Sequence, residues 1–354
     1  MRAWVVRAPG APEVLRLEAR PEPVPRPGEV LIEIAAFGLN RAEAVTRAGG
    51  SGDAVRFPRV LGLECVGTVR EAPGTPFEAG QPVAAVMGGL GRDRDGSYAE
   101  RTVAPATGVI GLDTALAWPR LAALPESFLT AWGCLHEGLR IAQVARPRVV
   151  VRPGASALGR AITQIVNARG GRVIGITRSP DKVERLLAGG MHDVVVGTGA
   201  VAGEIRRRWP DGATGIVDTV TSAVTIADDL AMRARGGRLC IAGSLAASTP
   251  GERGAGARAA LALARPSVTR YSSESITAAT HADALRAIVR LVEAGVYDDG
   301  LDAVLPFTAL VDAHRTIDTN GFAGKAVVEV SAGAPPARAP GASPHRPPGT
   351  HRPR

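Results

Sequence analysis

The stretch from Val149 to Ser179 constrains the fold more than any other part of this 354-residue chain. Val149, Val150 and Val151 form a β-branched run suited to a buried strand. Arg152-Pro153-Gly154-Ala155-Ser156-Ala157-Leu158-Gly159 breaks the run and leads into the helical segment Ala161-Ile162-Thr163-Gln164-Ile165-Val166. A second strand, Val173-Ile174-Gly175-Ile176, ends at Thr177-Arg178-Ser179. Strand, glycine-bearing turn, helix and strand is the layout of a dinucleotide-binding βαβ unit. Gly154, Ser156 and Gly159 stand at its three glycine positions, with Ala157 and Leu158 opening the helix. Serine in the middle crowds the turn slightly but brings a hydroxyl donor. A pyrophosphate would sit on the free N–H groups of the helix start, where the dipole favours negative charge. NAD sites usually place an acid at the end of the second strand for the ribose hydroxyls. Thr177, Arg178, Ser179 and the following Lys182 offer hydroxyls and cations instead. That set suits a 2′-phosphate, so the residues predict an NADPH site.

The length is comfortable for two domains. With 45% hydrophobic but only 4% aromatic residues, the core must be built from Ala, Val, Leu and Ile. No apolar run approaches the ~20 residues that a membrane span needs. Met1 leads straight into the strand-like Ala3-Trp4-Val5-Val6, so no secretory segment is expected. Cys65, Cys134 and Cys240 lie far apart without a CxxC pair. This spacing argues against a disulfide framework and a cysteine-built zinc site, and a cytoplasmic location is the simplest expectation. A formal charge of +8 raises the question of nucleic acid. The cations, however, are arginines scattered among alanine, glycine and proline, without the interleaved aromatics of a single-strand-binding surface. Nucleic acid is therefore not the expected partner. All but two of the 42 basic residues are arginine. The exceptions, Lys182 and Lys325, both fall beside candidate cofactor loops.

The chain to about Leu124 is rich in short strands and turns, as in Val30-Leu31-Ile32-Glu33-Ile34 and Gly67-Thr68-Val69-Arg70. This pattern predicts a small β-barrel-like domain. From Pro125, helices and strands alternate. Further strands are expected at 194–196, 215–220, 238–242 and 268–271, giving a doubly wound parallel sheet. The segment 282–294 has helical periodicity. Residues 304–307 and 325–330 are late strands expected to return to the first domain. The predicted division is 1–124 with 276–330, 125–275 for the dinucleotide-binding domain, and a tail at 331–354. The tail has no apolar pattern and is expected to be disordered.

Several segments in order resemble the medium-chain dehydrogenase/reductases, specifically their zinc-independent quinone oxidoreductase branch. The first is Phe37-Gly38-Leu39-Asn40-Arg41-Ala42-Glu43, followed by Pro58-Arg59-Val60-Leu61-Gly62-Leu63-Glu64-Cys65-Val66-Gly67. Gly96-Ser97-Tyr98-Ala99-Glu100 and Leu124-Pro125-Glu126-Ser127-Phe128-Leu129-Thr130-Ala131-Trp132 come next, then the βαβ unit and Gly324-Lys325. The resemblance spans residues 1–330. It implies an α/β protein with a GroES-like β-barrel domain, a Rossmann domain, and a cleft between them for nicotinamide and substrate. It also implies a homodimer paired through sheet edges near 268–273. Asn40 stands where zinc-dependent relatives have their first cysteine ligand, and Leu63 where they have the histidine. Leu63 supplies no ligand, so no metal is expected.

By the same resemblance Thr130 holds the nicotinamide end and Asn40 the substrate or a ribose hydroxyl. Gly243, Ser244 and Leu245 line the nicotinamide wall, and Asn320, Phe322 and Lys325 close over the cofactor. The simpler readings are a helix residue bonding backbone for Thr130 and a turn residue for Asn40. Val45 stands where many quinone reductases have a tyrosine, so no general acid is evident. Glu43, Arg41 and Tyr98 have ordinary surface or packing roles as alternatives, and Glu64 reads as structural. The expected reaction is hydride transfer from NADPH to a small-molecule electron acceptor, a quinone or an α,β-unsaturated carbonyl. The rival readings are an enoyl-thioester reductase and a low-turnover NADPH-binding sensor or nucleic-acid-binding protein.

Overall fold

The computed structural model describes residues 1–243 and 267–330. Ser244, Leu245 and the 331–354 tail lie outside the described residues. A six-stranded parallel sheet forms the second half of the molecule. Its strands in chain order are Arg148–Arg152, Arg172–Thr177, Asp193–Val196, Ala213–Asp218, Arg233–Ile241 and Val268–Arg270. Numbered so, they lie across the sheet as 3-2-1-4-5-6. The order reverses between the first and fourth strands, and a doubly wound sheet opens its ligand crevice beyond the carboxyl ends of the strands at such a reversal.

Local chemistry explains why the chain turns there. Ser156 caps the helix Ala157–Ala168 by accepting the Gly159 N–H. Ala161, Ile162, Ile165 and Val166 form the buried face of that helix, the 3.6-residue stripe expected of a helix lying on a sheet. The Gly154 N–H donates to the Ile176 carbonyl at 2.7 Å. This bond presses the turn against the second strand so closely that a Cβ on Gly154 would stand 2.7 Å from the Gly175 Cα. Gly154 is thus required for packing of the turn.

The first half is built on the long strand Glu29–Gly38. It pairs antiparallel with Glu64–Glu71, Arg101–Pro105 and the late strand Lys325–Glu329. Leu301–Pro306 runs parallel to Lys325–Glu329, which itself pairs with Glu29–Gly38. Aromatic residues of this half gather around Phe37, which packs on Tyr98 and Phe307. The helix Ala278–Glu293 buries Leu285, Ile288, Val289 and Val292. These share one core with Ile162 and Ile165 of the dinucleotide domain and with Ala36 and Val66 of the first sheet. The helix therefore packs into a core common to both domains. The three cysteines are free and buried. No helix among the described residues is long and apolar enough to cross a membrane.

Gly154→Ala is expected to destabilise the protein by about 1–3 kcal/mol through overpacking, because the opposing atoms are backbone. The urea unfolding midpoint, compared with that of an alanine placed at the open Gly203, measures this.

Candidate active site

A cleft of about 640 Å³ lies between the two sheets. The parallel sheet contributes Pro153, Ala155, Ser156, Ala157, Leu158, Thr219, Ala242 and Gly243, all just past the carboxyl ends of its strands. The first domain contributes Asn40, Arg41 and Val45, and the segment before the last strand contributes Asn320, Phe322 and Gly324. Glu126 and Thr130 enter from the helix Pro125–Gly133. The two cleft residues expected to meet substrate and nicotinamide, Asn40 and Thr130, are therefore brought together with the turn and the closing loop.

Beneath the cleft floor is a buried polar network. The Lys325 ammonium donates to Glu64 Oε1 at 2.5 Å and to Asn40 Oδ1 at 2.6 Å. The Lys325 and Glu64 side chains are 1% and 0% exposed. Burial draws the Lys325 ammonium down, but Glu64, Glu126 and Glu43 together hold it above its ordinary value. Glu64 Oε2 accepts the backbone N–H of Glu126 at 2.7 Å, which satisfies a donor at the start of helix Pro125–Gly133. Gly38 leaves room for this pair, since a side chain there would run into both Glu64 and Lys325.

Asn40 donates through Nδ2 to Glu64 at 3.0 Å and to Glu43 at 3.3 Å. Its amide is thus engaged on both atoms by the network. Asn40 therefore both lines the cleft, where a contact to substrate or a ribose hydroxyl was expected, and orients the charges below it. Glu43 also accepts the backbone N–H groups of Asn40 at 2.5 Å and Leu63 at 3.0 Å. Burial pushes its carboxyl up to about 7, against the pull of Lys325. Behind it, the Tyr98 hydroxyl meets His314 Nε2 at 3.0 Å, and Arg47 joins His314 Nδ1 at 3.1 Å and Asp318 at 2.7 Å.

The structure gives four further expected site residues these surroundings. Lys325 does not close over the cofactor; it lies under the floor, because only there does its charge meet Glu64. Ser156 donates its hydroxyl to the Pro153 carbonyl at 3.0 Å while capping Gly159, so that donor faces the turn. Thr177 is buried, and its hydroxyl oxygen accepts the Ser179 N–H at 3.2 Å; it shapes the turn and does not project from it. Lys182 donates to the carbonyls of Asn320 at 2.7 Å and Phe322 at 3.2 Å, which anchors the closing loop. Arg178 is exposed and Ser179 half-buried. Arg41, read from sequence as a solvated cation, instead lines the cleft and donates to Ile317 O at 2.7 Å and Asn320 Oδ1 at 2.5 Å. Burial lowers its pKa, opposed by Asp318 and reinforced by the like charge of Arg178. Glu126 is a further cleft residue beyond those expected. The signal was its four-residue spacing from Thr130, which puts both on one helix face; the Thr130 hydroxyl meets Glu126 Oε1 at 3.1 Å.

A bound dinucleotide fits these residues: the turn brings backbone close, and the helix start offers N–H groups. A zinc ion does not fit. Leu63 is a buried hydrocarbon, and the Lys325 ammonium already occupies the space between Asn40 and Glu64. Among the described residues no group of three or more His, Cys, Asp or Glu is able to hold a metal ion.

Lys325→Met is expected to cost about 3–5 kcal/mol by stranding the Glu64 charge. Adding Glu64→Gln should recover much of that loss in urea unfolding. Glu43 sets a pH dependence. Its folded pKa is raised from 4.5 to about 7, so the stability of its neutral form is fully present below about 4.5 and lost as pH rises through about 7. Between about pH 5 and about pH 8 the protein should lose on the order of 3 kcal/mol relative to Glu43→Gln. Melting temperatures of both proteins across that range check the sign.

Two family models match the chain: "Alcohol dehydrogenase GroES-like domain" over residues 26–114 and "Zinc-binding dehydrogenase" over residues 157–280. Human quinone oxidoreductase is 26% identical over 337 residues, covering 93% of this chain and 97% of that protein. A solved NAD-dependent alcohol dehydrogenase superposes with a TM-score of 0.77 at 29% identity, covering 94% of this chain and all of the other. A mycobacterial protein solved in complex with NADPH gives a TM-score of 0.78 at 24% identity, covering 93% of this chain and 100% of its own. Matches to both domains, together with the parallel sheet and the interdomain cleft, identify the chain as a quinone oxidoreductase-like member of the medium-chain dehydrogenase/reductases.

Proposed function

We propose that the protein is an NADPH-dependent reductase of quinones or α,β-unsaturated carbonyls. The observation that carries the coenzyme choice is the cationic turn after the second strand of the parallel sheet. Arg178 stands exposed there, close enough to Arg41 for the two charges to oppose each other. Lys182 follows in the same turn and donates to the loop at Asn320 and Phe322. A 2′-phosphate between the guanidinium groups would relieve that repulsion through charge-assisted hydrogen bonds. Kinship leaves the coenzyme open, since one solved neighbour is named NAD-dependent and another was solved with NADPH.

A reduced nicotinamide, when bound, supplies a hydride from its C4. The chain's residues bind and orient. The helix start at Ala157 and Leu158 takes the pyrophosphate, Thr130 and Gly243 flank the nicotinamide end, and Asn320 and Phe322 close the cleft over it. Gly154 and Gly159 allow the backbone to approach. Without a Lewis acid, charge on the acceptor must be delocalised or protonated. Conjugated acceptors meet the first need, which favours quinones and enones over simple ketones. The edge strand Val268–Arg270 offers the pairing surface for a homodimer, and a cytoplasmic location fits three buried free thiols.

NADPH oxidation with 1,4-benzoquinone should show kcat/KM at least about tenfold above that with NADH. Arg178→Ala should lower the NADPH value about tenfold, the loss of ~1.4 kcal/mol of phosphate binding, and leave NADH unaffected. A preference for NADH in the parent protein would overturn the coenzyme assignment.

A further inference from the structure

Hydride transfer leaves an anionic acceptor that needs a proton, and Val45, which lines the cleft near Asn40, has none to give. Three carboxyl groups stand near the cleft floor, with Lys325 as the cation that faces all three. Their surroundings differ. Glu64 accepts hydrogen bonds from Lys325, from the Asn40 amide and from the Glu126 backbone. Glu43 accepts two backbone N–H groups and the Asn40 amide. Among the described residues, Glu126 accepts only the Thr130 hydroxyl at 3.1 Å, with the Lys325 ammonium 3.9 Å away. Of the three, it is also the one that lines the cleft. One buried ammonium cannot neutralise three carboxylates. The neutral form costs least where fewest donors are lost, and that place is Glu126.

We propose that Glu126 stores the proton for the reduced acceptor and delivers it through the Thr130 hydroxyl. The assignment rests on the reductase reading above. As the nicotinamide C4–H bond breaks, the hydride takes its electron pair to the acceptor, whose oxygen becomes anionic. The acceptor oxygen then forms an O–H bond with the Thr130 hydrogen. Thr130 Oγ1 takes the Glu126 proton in turn, because a hydroxyl both donates and accepts and its hydrogen rotates to suit. The acceptor has then gained a hydride and a proton, the nicotinamide is oxidised, and the Glu126 carboxylate regains its proton from water. Burial pushes the Glu126 carboxyl up against the pull of Lys325, and the charge on Glu64 adds to the push. The other titratable and charged groups around this helix are the buried Cys134 one turn beyond Thr130, Tyr297 on Phe128, His281 and His136 on Trp132, Tyr271 against Gly133, and Arg92 of the cleft lining, which is paired with Glu274 at 2.9 Å.

The test compares the parent with Glu126→Gln, Thr130→Val and Thr130→Ser. Quinone reduction by NADPH is followed across pH, alongside thermal melting and NADPH affinity. Glu126→Gln should lower kcat by about 100-fold or more near neutral pH. Melting and NADPH affinity should stay close to the parent's. The gap should narrow as pH rises and the parent loses its proton. Thr130→Val should show the same loss and Thr130→Ser should restore most of it. Without any coenzyme, the infrared difference between the parent and Glu126→Gln should contain a protonated carboxyl band that titrates away with pH, over and above the band of Glu43, which both proteins share. A Glu126→Gln protein with the parent's rate and pH profile, or no difference in the carboxyl band, overturns this assignment alone. A parent that oxidises no NADPH with quinones or enones overturns the reductase reading and this assignment with it.

Discussion

The Lys325–Glu64 pair is the interaction on which the cleft depends. Lys325 begins the last strand and Glu64 begins a strand of the first domain. Glu64 also accepts the first free N–H of the helix that carries Glu126 and Thr130. Asn40, at the start of another helix, bonds to both members. One buried ion pair therefore fixes two strands and two helix starts relative to each other. A buried pair of this kind adds little net stability over a hydrophobic substitute, while the loss of one partner is costly. Its consequence here is geometric: it determines which polar atoms face inward and which remain for the cleft.

The dinucleotide domain is organised by a different constraint. The sheet reverses its strand order between Arg148–Arg152 and Ala213–Asp218, so the segments following those strands diverge and leave a crevice. Thr219 and Gly243 on one side and Pro153 and Ala155 to Leu158 on the other line it. The first domain covers the crevice, and the core that joins them includes Ala36, Ile162 and Leu285. Lys182 and Arg41 both hold the loop through Asn320, one at its carbonyl and the other at its side chain. Asn320 thereby ties the segment after the second strand of the parallel sheet to the first helix of the other domain.

Much of this was legible because short-range chemistry carries it. The valine run, the cap at Ser156 and the apolar stripe of the following helix are periodic or adjacent in sequence, and the strand candidates fell where the strands lie. The two lysines were a usable hint in an arginine background, and both make structural contacts. Lysine suits the Lys325 site because its charge is compact on a thin stem, with Gly38 clearing the space. What the hint could not supply was direction. Lys325 sits beside loop residues that line the cleft, yet its side chain turns under the floor toward Glu64, 261 residues away in sequence.

The sequence by itself determined the two-domain layout, the βαβ turn and the lack of zinc ligands at Asn40 and Leu63, since each depends on residue type and spacing along a local segment. Only the tertiary structure decided that Asn40 serves the network below the cleft, that Arg41 lies near Arg178, and that Glu126 is the least satisfied of three carboxyls. Those outcomes depend on burial and on partners brought together by sheet pairing, and neither has a signature along the chain.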